Sequence, residues 1–222
     1  MKDARELPKR EIVSRRGQRG FELAPEVLND TSSVISFLRT RRSAEPALIG
    51  PPGPDAEQLA LILECASRTP DHGKLEPWRF IVVQGEGLAA FRAAAEARWQ
   101  ALHPGEEPDR ASMLDLLARV PVLIFVIDGA REHPKIPVWE QRLSVGAACM
   151  NMLAAATALD LAMQWRSGWL AGDEGIAALL GLSGEERVAA VMLLGSPRAG
   201  LAREDRRRPF WRDKTTWWSP PE

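Results

Sequence analysis

The side chains best suited to chemistry lie in one short stretch, Arg68 to Phe80, which reads RTPDHGKLEPWRF. In it Asp71, His72, Gly73 and Lys74 form a polar loop fenced by Pro70 and Pro77. Pro70 cannot continue a helix, and Pro77 is expected to push Glu76 into an extended conformation, so the loop is a stiff connection between two buried elements. Such a loop holds an imidazole, an ammonium and a carboxylate in fixed positions, which is how binding loops work. A second candidate is the Arg41-Arg42-Ser43 run. Val34, Phe37 and Leu38 follow an i, i+3, i+4 spacing whose i+7 member is Arg41, so a helix starting near Asp30 or Thr31 would turn this guanidinium toward its buried face. A desolvated cation needs a partner, and no carboxylate follows before Glu45, so an external anion such as a phosphate is one candidate. Simple complementarity to a helix dipole, worth only ~0.3–1 kcal/mol, is the other, and on the residues alone the two stand level.

Other chemistries lack their residues. Gly-x-Ser-x-Gly, Gly-x-Gly-x-x-Gly and paired loop carboxylates are all missing. His72, His103 and His133 have no zinc-ligand spacing. A formal net charge of −1 argues against a nucleic-acid binder, which needs a basic excess. Cys65 and Cys149 fall in apolar helical segments without CxxC spacing, which predicts two buried thiols in a reducing cytoplasm. The N-terminus has no apolar core of a secretory signal.

The elements that must carry these groups follow from patterning. With 222 residues the chain fits one α/β-sized domain with arms, a size that buries roughly 70% of its unfolded surface. Residues 1–30, rich in Lys and Arg with interspersed acids, read as a flexible or surface-lying arm. GPPGP at 50–54 is a stiff linker, and Asp55 with Gln58 forms a capping box for a helix bearing Leu59, Ile62, Leu63 and Ala66, with Arg68 in its last turn. Residues 79–84 read as a buried strand, 87–102 as an alanine-rich helix, and Met113 to Leu117 as a short helix. The continuous apolar run 121–128 fits a central strand covered on both faces. Pro137 opens a long core helix to Leu161, too often interrupted by polar residues for a membrane span and rich in small residues that permit close packing of a second copy. Residues 163–167 predict a short strand closed by Gly168, 173–182 a helix and 187–194 the last strand. The tail beyond residue 200 has arginines and three tryptophans but no helical repeat, so it reads as an arm that packs on something else.

Arg41-Arg42-Ser43 followed by an amphipathic helix, then PDHGKLEPWRF, then Trp165-Arg166-Ser167-Gly168 together resemble the nitroreductase superfamily over about residues 32–210. The likeness is nearest to its short, single-domain, FMN-dependent NAD(P)H nitroreductase branch. It implies an α+β three-layer fold with a mostly antiparallel sheet flanked by helices. It also implies a cytoplasmic homodimer whose FMN sits at the subunit interface, with residues 31–200 as the flavin domain and 201–222 as an arm exchanged with the partner. Arg41, Arg42 and Ser43 would hold the flavin phosphate, completed by one of Arg206, Arg207 and Arg208, since the family places an Arg or Lys just before a proline there. Arg68 and His72 would reach the partner's flavin, with His72, Lys74 or Arg68 near its N1 and C2 carbonyl edge, and Trp165, Arg166 and Ser167 would line its ring. The implied activity is ping-pong hydride transfer from NADH or NADPH to a nitroaromatic, a quinone or a similar acceptor, with no covalent protein catalyst and His72 as a candidate proton donor. A flavin-binding protein without turnover, and a dimeric scaffold whose arginines hold another anion, are the alternatives. The chain has no tyrosine, so any role of a tyrosine near the flavin falls to Trp169 or is lost.

Overall fold

The computed structural model describes residues 7–108, 114–200 and 203–221. Met113 of the expected short helix lies outside the described residues. The chain divides into two compact units, Ser43–Ala199 and the pair of terminal segments Met1–Arg42 with Gly200–Glu222. The first helix groups with the terminal segments.

In the terminal unit, β1 (Lys9–Val13) and β2 (Arg19–Leu23) form an antiparallel hairpin where a flexible or surface-lying arm was expected. The turn supplies the reason: the Ser14 hydroxyl accepts from the backbone N–H of Arg16 and Gln18, and Gly17 takes a φ of 73°. The first helix, α1, is Val34–Thr40, capped by Ser33, whose hydroxyl accepts from the Ser36 N–H. It ends one residue short of Arg41, and Val34, Ile35 and Leu38 are 74%, 61% and 58% exposed, so the apolar spacing does not mark a buried face in the single chain.

The larger unit is built on β3 (Ile49–Gly50), α2 (Ala56–Ser67), β4 (Trp78–Gln84), α3 (Gly85–Leu102), α4 (Leu114–Leu117), β5 (Val122–Asp128), α5 (Val138–Ala158), β6 (Ala162–Arg166), α6 (Trp169–Gly172), α7 (Glu174–Leu179) and β7 (Arg187–Pro197). The sheet runs β3-β7-β5-β4 with β6 also on β7, and every pairing is antiparallel. β5 is buried along its whole length, as its apolar run requires. Its alternate side chains split two cores: Leu123, Phe125 and Ile127 pack with α3, α4 and α6, whereas Val122, Ile124 and Val126 pack with α2 and α5. The result is three layers, helices on both faces of an antiparallel sheet. The Asp55–Gln58 capping box forms as expected. α6, a four-residue helix after Gly168, is an addition to the expected elements.

Both cysteines are free; Cys149 is buried and its thiol is pushed up to about 12 by desolvation, while Cys65 is only partly buried. No described helix is long and apolar enough to cross a membrane. At the far edge of the sheet Arg79 donates twice to Glu186, at 2.6 and 2.9 Å, and this holds the Glu186 carboxyl down at about 2 from an ordinary 4.5. A carboxylate whose folded-state value is depressed stabilises the fold fully above its unfolded value and loses that contribution as pH falls through the folded one. Acidification from about pH 4.5 to about 2 is therefore expected to cost the wild type a small increment, about 1 kcal/mol or less because Arg79 is half in water. Denaturant titrations across that window should show the Glu186→Gln variant lacking this increment.

Candidate functional site

Three groups of the expected site residues take shape, one in the terminal unit and two in the larger unit. In the terminal unit the polypeptide turns sharply after α1. Asn29, at a φ of 58°, donates its N–H to the Thr40 carbonyl and accepts the Arg42 N–H on its side-chain oxygen at 2.7 Å. This turn presents Arg41, a partly buried residue in extended conformation, next to the tail arginines. Burial lowers the basicity of Arg41 first, then the like charges of Arg208, Arg206 and Arg42, with Asp205 opposing. Arg208 is lowered by burial and by Arg206 and Arg42, again with Asp205 opposing, and Arg203 is lowered by burial and Arg42. One Nη of Arg208 donates to the Arg41 carbonyl at 3.1 Å and lies 3.4 Å from an Asp205 carboxylate oxygen. The Arg42 Nε donates to the Glu204 carbonyl at 2.8 Å. The Nε of Arg203 is buried with no hydrogen-bond partner among the described residues. The cluster thus gathers five guanidiniums, two of them within reach of the buried Asp205 carboxylate, an arrangement that a multiply charged anion would suit. Arg207 is not part of it: its guanidinium donates to the Arg19 carbonyl and to the Gln18 side chain, at 2.9 and 3.0 Å.

In the larger unit the loop between Pro70 and Pro77 is pinned along its length. The Ser144 hydroxyl donates to the Pro70 carbonyl at 2.8 Å and accepts from the Trp78 indole at 3.2 Å. The Glu76 N–H donates to Asp71 Oδ2 at 2.7 Å, and this tie bends Glu76 to a φ of 48°, against the extended backbone expected before Pro77. Gly73, at a φ of 75°, has no room for a side chain, because a Cβ there would run into the Ile136 methyl. His72 Nδ1 meets a Glu140 carboxylate oxygen at 2.6 Å, so Nδ1 carries the proton and Nε2 faces away. Both line a cleft of about 320 Å³ with Pro70, Ile136, Leu143 and Ser144. Glu140 was not among the expected site residues; its place three positions after Pro137, in the first turn of α5, was the available signal. Arg68 is the C-cap of α2 with an exposed side chain, and Lys74 is exposed at a φ of 55°.

Trp165 and Arg166 end β6, and Ser167 follows in the open. The Trp165 ring lies against α5 at Gly146, where a small residue leaves it space. Gly168 takes a φ of 118° and ψ of −158°, a conformation reserved for glycine, and so turns the strand into α6. The segment after Ser43 is tied to the same strand, since the Ala44 N–H donates to the Met163 carbonyl at 3.1 Å.

A family model described as "Nitroreductase family" matches residues 38–196, which include Arg41, the loop at 70–77 and the Trp165–Gly168 segment. This chain belongs to the nitroreductase family. It is 34% identical over 166 residues to "Putative NAD(P)H nitroreductase YdjA" of Escherichia coli, covering 74% of this chain and 88% of that protein. Its fold is shared with the nitroreductase-like family protein from Bacillus cereus, at a TM-score of 0.70 and 22% identity over 85% of this chain and 97% of that one. It is shared too with a variant of the FMN- and NADPH-dependent nitroreductase NfnB from a Sphigopyxis species, at a TM-score of 0.67 and 20% identity, over 83% and 98% of the two chains. The hairpin at residues 9–23 precedes the family match.

Proposed function

We propose that the protein is an FMN-dependent oxidoreductase that uses NADH or NADPH to reduce nitroaromatics, quinones or similar electron-poor acceptors. The observation that carries the reading is the arginine cluster. Arg41, Arg42, Arg203, Arg206 and Arg208 lie within electrostatic reach of one another, and the buried Nε of Arg203 has no hydrogen-bond partner among the described residues, a gathering of donors suited to a phosphate monoester. Arg208, immediately before Pro209, is the tail residue assigned to that phosphate together with Arg41, with Ser43 donating a hydroxyl. Arg68, His72 and Lys74, and separately Trp165, Arg166 and Ser167, are assigned to the ring system. When bound, the flavin supplies hydride acceptance and return, with reductant and acceptor using the same face in turn. The residues of the chain anchor, orient and hold protons: Glu140 fixes the imidazole of His72 through Nδ1, leaving Nε2 to donate or accept.

The working unit is read as a homodimer in which the end of the tail, beyond the residues held to the chain's own hairpin, is the part that reaches the partner. Supporting this are large apolar side chains turned to water: Val34, Ile35 and Leu38 on α1, Trp139 and Leu143 on α5, and Trp217 and Trp218 in the tail. Sedimentation should give twice the chain mass of 24.5 kDa.

Purified protein supplied with FMN should be yellow, bleach on addition of NADPH or NADH without oxygen, and regain colour when a nitroaromatic is added. Protein that takes up no FMN would end the flavin reading, and flavin that never bleaches would leave a binding protein without turnover. Within this scheme His72→Ala and Glu140→Gln should each slow acceptor reduction about tenfold or more, the scale of a misplaced proton-transfer group. A double-mutant cycle on kcat/KM is expected to show the pair costing little more than His72→Ala alone, because the two side chains act as one unit.

A further inference from the structure

We propose that the N-terminal hairpin is a positioning device for the anion site: it sets the register of the tail segment so that Arg208, and not Arg207, joins Arg41. This rests on the reading of the arginine cluster as the FMN phosphate anchor. The contacts are specific to one alignment of the two segments. The Phe21 N–H donates to the Arg208 carbonyl at 2.9 Å and the Arg208 N–H to the Phe21 carbonyl at 2.7 Å, a two-way bridge that adds the tail to the outer edge of β2. Three residues earlier in the tail, the Asp205 side chain, 1% exposed, accepts the Leu23 N–H on Oδ2 at 3.0 Å and turns its other oxygen toward Arg208.

Adjacent residues on an extended segment point to opposite sides, so fixing one fixes the next. Arg207 is held to the hairpin by the Arg19 carbonyl and the Gln18 side chain, which commits Arg208 to the Arg41 side. A slip of one residue would exchange the two arginines and break every one of these bonds. Gly20 is where the approach is closest: a Cβ there would clash with the Arg208 carbonyl oxygen and the Arg207 Cγ. The Phe21 ring reinforces the pairing from the other side, 5.7 Å from Phe210. Both the hairpin and the tail segment lie outside residues 38–196, so this device is carried by the parts of the chain that the family match does not include.

The test compares FMN with riboflavin, which has the same ring and no phosphate, by flavin fluorescence titration of the full-length protein. Gly20→Val wedges the hairpin from the tail, and should raise the Kd for FMN about tenfold or more while leaving that for riboflavin within about twofold. Phe21→Ala keeps the backbone bridge and loosens its packing, and should move FMN alone in the same direction by about threefold; it carries the test if Gly20→Val does not fold. In both variants the salt dependence of FMN binding should shrink, because a phosphate contact has been lost. Unchanged FMN affinity in a folded variant overturns the proposal, and so does an equal loss for both flavins, which would make the hairpin a general support. Wild-type protein that binds FMN no better than riboflavin would instead defeat the phosphate anchor itself, a separate result.

Discussion

Replacing Arg41 with alanine should weaken FMN binding by about 2–3 kcal/mol, roughly 30- to 150-fold in Kd, the scale of losing a charge-assisted hydrogen bond from a desolvated group. The expectation follows from where this guanidinium sits. Burial first, then the like charges of Arg208, Arg206 and Arg42, depress its basicity, with Asp205 opposing. A ligand phosphate relieves both conditions at once, and its loss is felt in full. Arg207→Ala should cost far less, since that side chain spends its donors on the hairpin. Titration with FMN checks both; an Arg41→Ala protein that binds FMN as the wild type does would place the phosphate elsewhere. Riboflavin should bind both variants alike.

The largest effect on stability is expected at Phe125. Truncation to alanine should cost about 3–5 kcal/mol, read as a lowered denaturant midpoint at an unchanged slope. The ring is fully buried in the middle of β5, with β4 on one side and β7 on the other, and it meets Phe91 of α3 edge-on at 5.3 Å. No flexible neighbour is available to fill the space, because the strand itself is held by ladders on both edges. Ile124, on the opposite face, belongs to the core with α2 and α5. Ile124→Ala should therefore add to Phe125→Ala only in part: the strand is shared although the cores are separate.

Much of the fold was legible in local spacing. The unbroken apolar run of β5 fitted a strand covered on both faces, the Asp55–Gln58 box fixed the start of α2, and Pro137 marked the start of α5. The loop from Pro70 to Pro77 was legible too, although Glu76 departs from the expected backbone because the Asp71 carboxylate captures its N–H. The apolar spacing of α1 misled about burial. Val34 and Leu38 share a helical face, yet within one chain that face is turned to water, and spacing alone cannot say whether a partner covers it.

What the amino-acid sequence determined by itself was the kind of each element, the stiffness of the histidine loop and the presence of paired arginines at 41 and 42, because helices, caps and turns are made by groups a few residues apart. Only the tertiary structure decided which tail arginine stands beside Arg41, that Glu140 holds His72, and that residues 9–23 form a hairpin with a tail segment laid against it. Those choices depend on hydrogen bonds between groups far apart in the chain, such as Leu23 and Asp205 at a separation of 182 residues. Such a pairing leaves no periodic trace in either segment, and its register is set by side chains and a glycine that meet only once the chain has folded.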